Sequence, residues 1–277
     1  MKVSLIAYTE NADGLCARAA ATCTQAKAPQ EGSEKALKMA IESGHESVLE
    51  HASFTFMIEG VSRGLTHQLV RHRIGSSFSM RSQRYVKESF FDYVVPDSIK
   101  NHPDAYKRFY DIMVNSSDAY TQMVGAGIPQ EDARYVLPNA CCTNIVVTMN
   151  ARELRHFFGL RCCKRAQWEI RELANAMLRE CEKVAPLIFA NAGAQCEQMG
   201  YCPEAKSCGK RPRLEEKMQK NAENSEEKVQ KDNTFSKEKV CTYEGIMKKL
   251  DDIADRMTVY DCAISNGYVP ARKKEKD

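Results

Sequence analysis

Strand-like and helix-like hydrophobic periodicities alternate along the first two hundred residues. In ASFTFMIEG, at 52–60, Ala52, Phe54, Phe56 and Ile58 alternate with more polar neighbours, which is typical of a half-buried strand. KVSLIAY, DYVVP and NIVVTMN predict three more strands, and helical spacing occurs at 34–43, 61–72, 103–125 and 164–190. In the last helix we expect Trp168, Leu173, Met177, Cys181 and Val184 to point inward. Because strands and helices mix without a regular βαβ rhythm, the pattern predicts an α+β fold: a central, mostly antiparallel or mixed sheet flanked by helices, with a long C-terminal helix and a charged C-terminal extension.

The composition changes near residue 203. Lys and Glu dominate 203–240, where few apolar residues could offset the entropy of ordering, so we predict a linker or a solvated helix. Residues 241–277 then predict an amphipathic helix and a tail, with Ile246, Leu250, Ile253, Met257 and Tyr260 at helical spacing. The predicted domain is therefore 1–202.

The net charge and the cysteines limit the classes of protein to which this chain can belong. The net charge is only +3, so electrostatic recognition has to come from local clusters. Twelve cysteines without a visible signal peptide indicate reduced thiols and a cytoplasmic protein. No apolar run is long enough to cross a bilayer, and the chain has neither a G-x-G-x-x-G nor a G-K-[ST] loop.

One local cluster is RHRIGSSFSMRSQRY at 71–85, which combines arginines with hydroxyl side chains suited to binding anions. On a helix over 61–72, Gln68 would share a face with Arg71 and His72. Two other interpretations stay open for such a cluster. It could be a surface loop whose arginines pair with acids, or a nucleic-acid-binding module with Phe78 and Tyr85 stacking on bases.

A second basic cluster lies at 134–161. NIVVTMNARELRHFFGLRCC runs from a strand directly into a helix, with Asn150 at the junction as the expected N-cap. Arg152 and His156 are four residues apart and share a helix face, while Arg161 stands at the end of the helix. Alone, Arg152 and His156 are equally compatible with a solvated face.

Two groups raise the question of a metal. His45 and His51 lack H-E-x-x-H spacing and a third ligand. Cys196, Cys202 and Cys208 are evenly spaced, but three thiols are one fewer than a zinc site needs. Their six-residue spacing is also wider than that of a C-x-x-C knuckle. A structural metal with a fourth ligand from elsewhere stays open for this trio beside ordinary reduced thiols, and we assign no metal site.

The run RHRIGSSFSMRSQRY resembles the signature of the flavin-dependent thymidylate synthases, in which Arg-His-Arg is followed by a Ser and then Arg-Tyr. Further blocks are similar to that family in the same order: GHESVLEHASFTF, HQLVRHR, DARYVLPNA, MNARELRHFFGLR and AQWEIRELA. Together they span about residues 34–180, so the predicted domain 1–202 resembles a flavin-dependent thymidylate synthase domain.

The resemblance implies a reductive methylation of dUMP to dTMP. In that reaction 5,10-methylenetetrahydrofolate is the carbon donor, and FAD reduced by NADPH is the source of the hydride. It also implies a homotetramer with its active sites between subunits, where FAD and dUMP need a dense array of Arg and Ser donors. It implies no nucleic-acid or membrane partner. A member that has lost turnover is disfavoured, because Arg71, Arg134 and Arg161 are all present.

The resemblance also assigns site residues by position. FAD contacts are implied for Ser53, Arg71, His72, Arg73, Met80, Asn150, Arg152 and His156. Contacts with dUMP are implied for Gln68, Arg71, Met80, Arg81, Ser82, Gln83, Arg84, Arg134 and Arg161. Arg161 is similar to the catalytic arginine that polarises the uracil ring, a role that suits a permanently charged, bidentate group. Met80 and Arg81 stand where other members carry an acidic and an apolar residue, so their backbone amides are the expected contacts.

No cysteine is assigned a role as nucleophile, because the family's hydride transfer needs none. Ser82 could only replace a thiolate if a general base lay beside it, and the sequence offers none. We therefore expect Ser82 to bind and orient dUMP.

Overall fold

The computed structural model describes residues 1–23 and 33–219. Its centre is a four-stranded, wholly antiparallel sheet in the order β1-β2-β4-β3. The strands are β1 (Lys2–Tyr8), β2 (Ser53–Ser62), β3 (Ser76–Met80) and β4 (Cys142–Asn150). The predicted α+β class and antiparallel sheet are confirmed.

Helices surround this sheet. They are α1 (Ala12–Thr22), α2 (Glu34–Glu42), α3 (Arg63–Leu69), α4 (Asp97–Lys100), α5 (Pro103–Gly125), α6 (Gln130–Ala133), α7 (Ala151–Arg161), α8 (Trp168–Val184) and α9 (Gln195–Met199). Two 3-10 turns, Glu46–His51 and Arg134–Val136, complete the described elements. No helix in these ranges is long and apolar enough to span a membrane.

The main core forms where β2 and β4 turn their apolar side chains toward α7 and α8. Phe54, Phe56 and Ile58 of β2 are fully buried, as their alternation predicts. Along α8, Leu173, Met177 and Cys181 are fully buried, but Trp168 and Val184, at its two ends, are only half-buried. The inward stripe predicted for this helix is therefore correct in its middle turns.

Three local predictions were wrong. DYVVP is not a strand and contributes only an isolated bridge between Tyr93 and Cys141. The helix expected over 61–72 is shorter, because Val61 and Ser62 still belong to β2 and α3 ends at Leu69. Arg71 and His72 therefore follow the helix and cannot share a helical face with Gln68.

The hydroxyl-rich segment after Arg73 was also misjudged. Residues 76–80 form the edge strand β3, paired with β4 from Ser76 opposite Met149 to Met80 opposite Ile145. The signal was the alternation around Phe78, which packs on the main core. Backbone amides along one edge of this segment are committed to the sheet, so fewer are free for an anion than the sequence suggested.

Buried polar contacts fix the elements that lead to the arginine cluster. Ser62, the N-cap of α3, accepts a hydrogen bond from Leu65 N at 3.0 Å. Its own N and Oγ donate to the buried carboxylate of Glu169 on α8, at 2.8 and 2.5 Å. The start of α3 is thereby held to α8.

The compact unit around the sheet extends from Met1 to Lys217. The segment after α9 is tied to it by Cys202 N, which donates to Pro212 O at 2.7 Å. The division into 1–202, 203–240 and 241–277 stays a prediction, because the residues from 220 onward, including the predicted amphipathic helix, lie outside the described part.

Candidate active site

The junction between β4 and α7 places one wall of the site. Asn150 is the N-cap of α7 and accepts a hydrogen bond from Glu153 N at 2.9 Å. Its own N donates to Gly75 O at 2.9 Å. Gly75 has φ +67°, and a Cβ built there would lie 2.2 Å from Asn150 Nδ2, so only glycine allows this approach. The chain after Arg73 is thus fixed against the start of α7.

Beneath the site lies a chain of three side chains, in which His72 and Glu153 are buried and Arg161 is half-buried. His72 Nδ1 is 2.9 Å from Glu153 Oε1, and Arg161 Nε donates to His72 Nε2 at 3.1 Å. An arginine has no acceptor, so Nε2 has to be unprotonated and the proton of the imidazole sits on Nδ1. His72 therefore donates to Glu153 and accepts from Arg161 as a neutral ring, although the distance to Glu153 is that of an ion pair.

The electrostatics agree with this assignment. Burial, followed by the positive Arg161 and by His156, lowers the pKa of His72 to about 4. Burial raises the pKa of Glu153, which the nearby His156 opposes. Burial also lowers the pKa of Arg161, but an arginine starts so high that it stays charged.

Above this chain is a basic cleft of about 610 Å³, within the usual range for small-molecule sites. It is lined by Glu46, Glu50, Arg71, His72, Arg73, Ile74, Asn150, Arg152, Glu153, His156, Leu160 and Arg161. We call this the cleft. It brings together seven of the residues predicted from the sequence, from the turn after α3 and from α7.

The cations of the cleft differ in how they are held. Arg152 is paired with Glu50, and Arg161 donates from Nε to His72. Within residues 1–23 and 33–219, the side chains of Arg71 and Arg73 have neither a hydrogen bond nor an ion pair, and both are exposed. Guanidinium groups without a protein partner suit an anionic ligand.

Ser53 stands beside the cleft but does not line it. It pairs with Asn150 across β2 and β4, and its N donates to Thr9 Oγ1 at 2.9 Å. The strand register therefore brings this predicted flavin contact to the edge of the cleft.

Other predicted residues lie in a second hollow of about 240 Å³, which we call the recess. It is lined by Arg63, His67, Gln83, Arg134, Tyr135, Leu137, Pro138 and Asn139. Residues 71–74 of the cleft precede β3 and Gln83 of the recess follows it, so the two hollows are at opposite ends of a five-residue strand. At about 3.3 Å per residue this separation is roughly 16 Å.

The remaining predicted residues have local partners. Arg81 donates to Cys142 O at 2.8 Å and pairs with the buried Glu88 at 3.1 Å, while Met80 Sδ lies 3.6 Å from Arg63 Nη1.

Ser82 and Arg84 contact each other next to the recess. Ser82 Oγ accepts from Arg84 N at 3.2 Å, and the Arg84 side chain pairs with Glu131 at 2.7 Å. Gln68 lines a third hollow, together with Trp168 and Glu169.

Sequence reasoning missed Glu153, Glu46 and Glu50. Asn150-x-x-Glu153 has the spacing of a helix cap, so the sequence indicated a local capping role for Glu153. It did not indicate that Glu153 contacts His72. Glu46 and Glu50 are in the block GHESVLEH, where the histidines drew attention to a metal instead. Only the fold brings this 3-10 turn against α7.

The structure disfavours the nucleic-acid alternative. Its four arginines do not form one surface, because Arg71 and Arg73 line the cleft whereas Arg81 and Arg84 pair with acids beyond β3. Phe78, expected to stack on bases, packs on the main core. The fold and site instead have the chemistry suited to an anionic ligand beside a fixed guanidinium.

Comparison with known proteins assigns the same region of the chain to a protein family. The profile of the family described as Thymidylate synthase complementing protein matches residues 4–187, which includes both the cleft and the recess. The chain therefore belongs to this family.

Relatives in the family carry a more specific name, flavin-dependent thymidylate synthase. The protein of that name from Nitratidesulfovibrio vulgaris is 54% identical over 182 residues, covering 62% of this chain and 74% of the relative. The one from Geobacter sulfurreducens is 50% identical over 221 residues, covering 76% and 94%. The one from Pyrococcus furiosus is 51% identical over 182 residues, covering 62% and 73%. The family resemblance seen in the sequence is confirmed.

Proposed function

We propose that this protein is an FAD-dependent thymidylate synthase that converts dUMP to dTMP. Its carbon donor is 5,10-methylenetetrahydrofolate, and NADPH reduces the flavin. The observation that carries the proposal is the cleft. Arg71 and Arg73, which have no partner among the described residues, line it together with Arg161, and Arg161 is held on a buried, neutral His72.

The residues of the cleft fit a flavin nucleotide. Its pyrophosphate needs cationic donors, and Arg71 and Arg73 are free to supply them. Asn150, Arg152 and His156 form the facing wall on α7, and Ser53 stands at its edge. When bound, the reduced flavin supplies the hydride that the pyrimidine receives.

Arg161 is the group that we assign to the uracil ring. Its Nε is occupied by His72, and among the described residues Nη1 and Nη2 have no hydrogen-bond partner. The two terminal nitrogens can therefore donate in parallel to adjacent ring atoms and stabilise negative charge there. His72 keeps its proton on Nδ1, against Glu153, so Nε2 stays an acceptor and holds the guanidinium in one orientation.

The recess supplies the other half of a dUMP site. Arg134 donates from Nε to Glu131 O at 3.0 Å, and its terminal nitrogens have no partner in residues 1–23 and 33–219, so we assign them to the phosphate of dUMP. Ser82, Gln83 and Arg84 follow β3 on the same side. A nucleotide cannot bridge the length of β3 within one chain, so we propose that the recess of one subunit meets the cleft of another in a homotetramer. We place Gln68 and Met80 at that junction, whereas the backbone of Arg81 is already engaged, because its N donates to Asn144 O at 3.0 Å and its O accepts from Arg63 Nη2 at 2.7 Å.

The cysteines do not suit a thiolate mechanism. None of the twelve residues lining the cleft is a cysteine. Burial raises the pKa of Cys16 to about 11 and of Cys141 to about 12, so these thiols are protonated and poor nucleophiles at neutral pH. Ser82 contacts the backbone of Arg84 rather than a base, which supports a binding role.

A first experiment tests the activity. The purified full chain is expected to be yellow, to oxidise NADPH in the presence of dUMP, and to form dTMP once methylenetetrahydrofolate is added. A colourless protein that binds no added FAD, or a flavoprotein without dTMP formation, would overturn the proposal.

A second experiment tests the shared site. At a dUMP concentration well below the wild-type KM, we expect Arg134→Ala and Arg161→Lys each to keep at most about a tenth of the wild-type rate when expressed alone. When the two chains are co-expressed, about one quarter of the sites would combine an intact recess with an intact cleft. Recovery of that share of activity supports a site between subunits, whereas no recovery means that both arginines act from one chain.

A further inference from the structure

Four cysteine side chains line one small cavity behind the C-terminal end of α7. Cys163 follows that helix, Cys196 is in α9, and Cys202 and Cys208 are in the segment after it. The cavity has a volume of about 30 Å³, close to the space that one water molecule occupies in the liquid. The structure therefore adds a fourth thiol, Cys163, to the trio seen in the sequence.

The segment that carries three of these thiols has almost no other core. Between residues 193 and 213 its regular structure is one five-residue helix and a single bridge from Cys202 to Arg213. Its buried cluster consists of Ala194, Cys196 and Cys202, with Cys162 and Cys163 packed against it. So little apolar surface does not order a segment of this length, which is the situation in which small folds use a metal or disulfides.

The backbone turns the chain back toward the cavity twice. Gly200 and Gly209 have φ +71° and +80°, two residues before Cys202 and directly after Cys208. These left-handed turns let thiols six residues apart in sequence line the same cavity. Four cysteines lining one cavity supply the kind and number of ligands that zinc takes in a tetrahedral structural site, with Zn–S distances of about 2.3 Å.

We propose that Cys163, Cys196, Cys202 and Cys208 bind one zinc ion as four thiolates. On binding, each thiol releases its proton to solvent and its sulfur becomes a ligand. In the described ranges 1–23 and 33–219, no three His, Cys, Asp or Glu side chains are already arranged for metal ligation, so the thiols close onto the ion as it binds. Cys162 is not a ligand, because it does not line the cavity.

The ion would hold the end of the helix that carries Arg161. Cys163 is two residues beyond Arg161, and Leu160 lines both the zinc cavity and the cleft. The proposal does not depend on the proposed enzyme activity, because the metal is a structural one and is measured directly.

Metal analysis of the full-length protein, purified under reducing conditions and dialysed against EDTA, tests the proposal. We expect about one zinc ion per chain. Cys208→Ser, at an exposed thiol that should tolerate replacement, is expected to lose most of it, and so is Cys196→Ser. The matched controls are Cys23→Ser at another exposed thiol and Cys181→Ser at another buried one; both should keep the zinc.

Four results would overturn the proposal. The first is a wild-type chain that holds less than about a tenth of an equivalent of zinc, both as purified and after incubation with zinc chloride and a reductant. The others are zinc retained by Cys208→Ser, iron with inorganic sulfide in place of zinc, and disulfides among these four cysteines in a non-reducing peptide map. If Cys196→Ser does not fold, the zinc content of Cys208→Ser and of the wild-type chain still tests the proposal.

Discussion

The cleft and the recess both contain arginines that we assign to nucleotide binding, but the two regions hold them differently. In the cleft, Arg161 is anchored from below by His72, which is only 6% exposed, and through it by Glu153. Next to the recess, Arg84 is held by the exposed carboxylate of Glu131. A buried neutral anchor fixes a guanidinium without cancelling its charge, whereas a surface carboxylate neutralises it and exchanges easily.

This difference indicates a division of labour. An arginine that stabilises charge on a reacting ring gains from being fixed in advance, because no reorganisation is then needed during the reaction. Arginines that bind a phosphate can exchange one anionic partner for another at little cost. We therefore expect substitutions in the cleft to affect turnover and flavin binding, and those in the recess to affect dUMP binding.

The largest effect is expected for Arg161→Lys. A lysine replaces two parallel donors with a single point charge and loses the anchor on His72, so kcat should fall by about 10²-fold or more while flavin stays bound. Steady-state dTMP formation and the flavin spectrum measure the two properties. The matched control is Arg179→Lys on α8, which should leave both unchanged, and near-normal turnover by Arg161→Lys would refute its role.

A second pair of variants separates the two regions. Arg73→Ala should weaken FAD binding about tenfold, the scale of one charge-assisted hydrogen bond, as measured by flavin fluorescence titration. Arg134→Ala should leave FAD binding unchanged and raise the KM for dUMP by a similar factor. Arg108→Ala on α5 is the control for both. If Arg134→Ala released flavin and Arg73→Ala did not, our assignment of the two hollows would be reversed.

The smallest effect concerns stability against pH. Because the folded state lowers the pKa of His72 from 6.5 to about 4, the unfolded chain takes up a proton first as the pH falls. The stabilising contribution is present above pH 6.5 and is lost by about pH 4; it amounts to roughly 3 kcal/mol, since one pKa unit corresponds to about 1.4 kcal/mol.

Urea unfolding between pH 7 and 4 measures this contribution. The His72→Asn variant should show a flatter decline of the free energy of unfolding than the wild type, because asparagine does not titrate. His45→Asn, at an exposed histidine, should follow the wild type. Parallel curves for His72→Asn and wild type would mean that His72 is not held neutral in the folded protein.

Much of the fold could be predicted from local pattern. The alternation at 52–60 placed β2, and the helical spacing at 103–125 matches α5 from Pro103 to Gly125. β3 was missed because a short edge strand of Ser, Phe and Met has a weak periodicity, and its identity depends on pairing with β4. The start of α3 was misplaced because Ser62, its N-cap, is bound to Glu169, 107 residues away in sequence.

The candidate site shows the same limit. The resemblance to the family, carried by the order of several motifs, was enough to select Arg71, His72, Arg73, Asn150 and Arg161, which the structure brings together in the cleft. The sequence did not show that Glu153 fixes the tautomer of His72. Nor did it show that Cys163 lies beside three distant thiols. Both depend on contacts between residues more than thirty positions apart.

The amino-acid sequence by itself determined the class of fold, the family and most of the basic residues, since periodicity and residue chemistry are properties of neighbours along the chain. The tertiary structure decided which of those residues meet. It separated the arginines into two hollows at opposite ends of β3 and set a buried histidine under one of them. Distances across the fold and the loss of water around a side chain arise only when remote segments pack together.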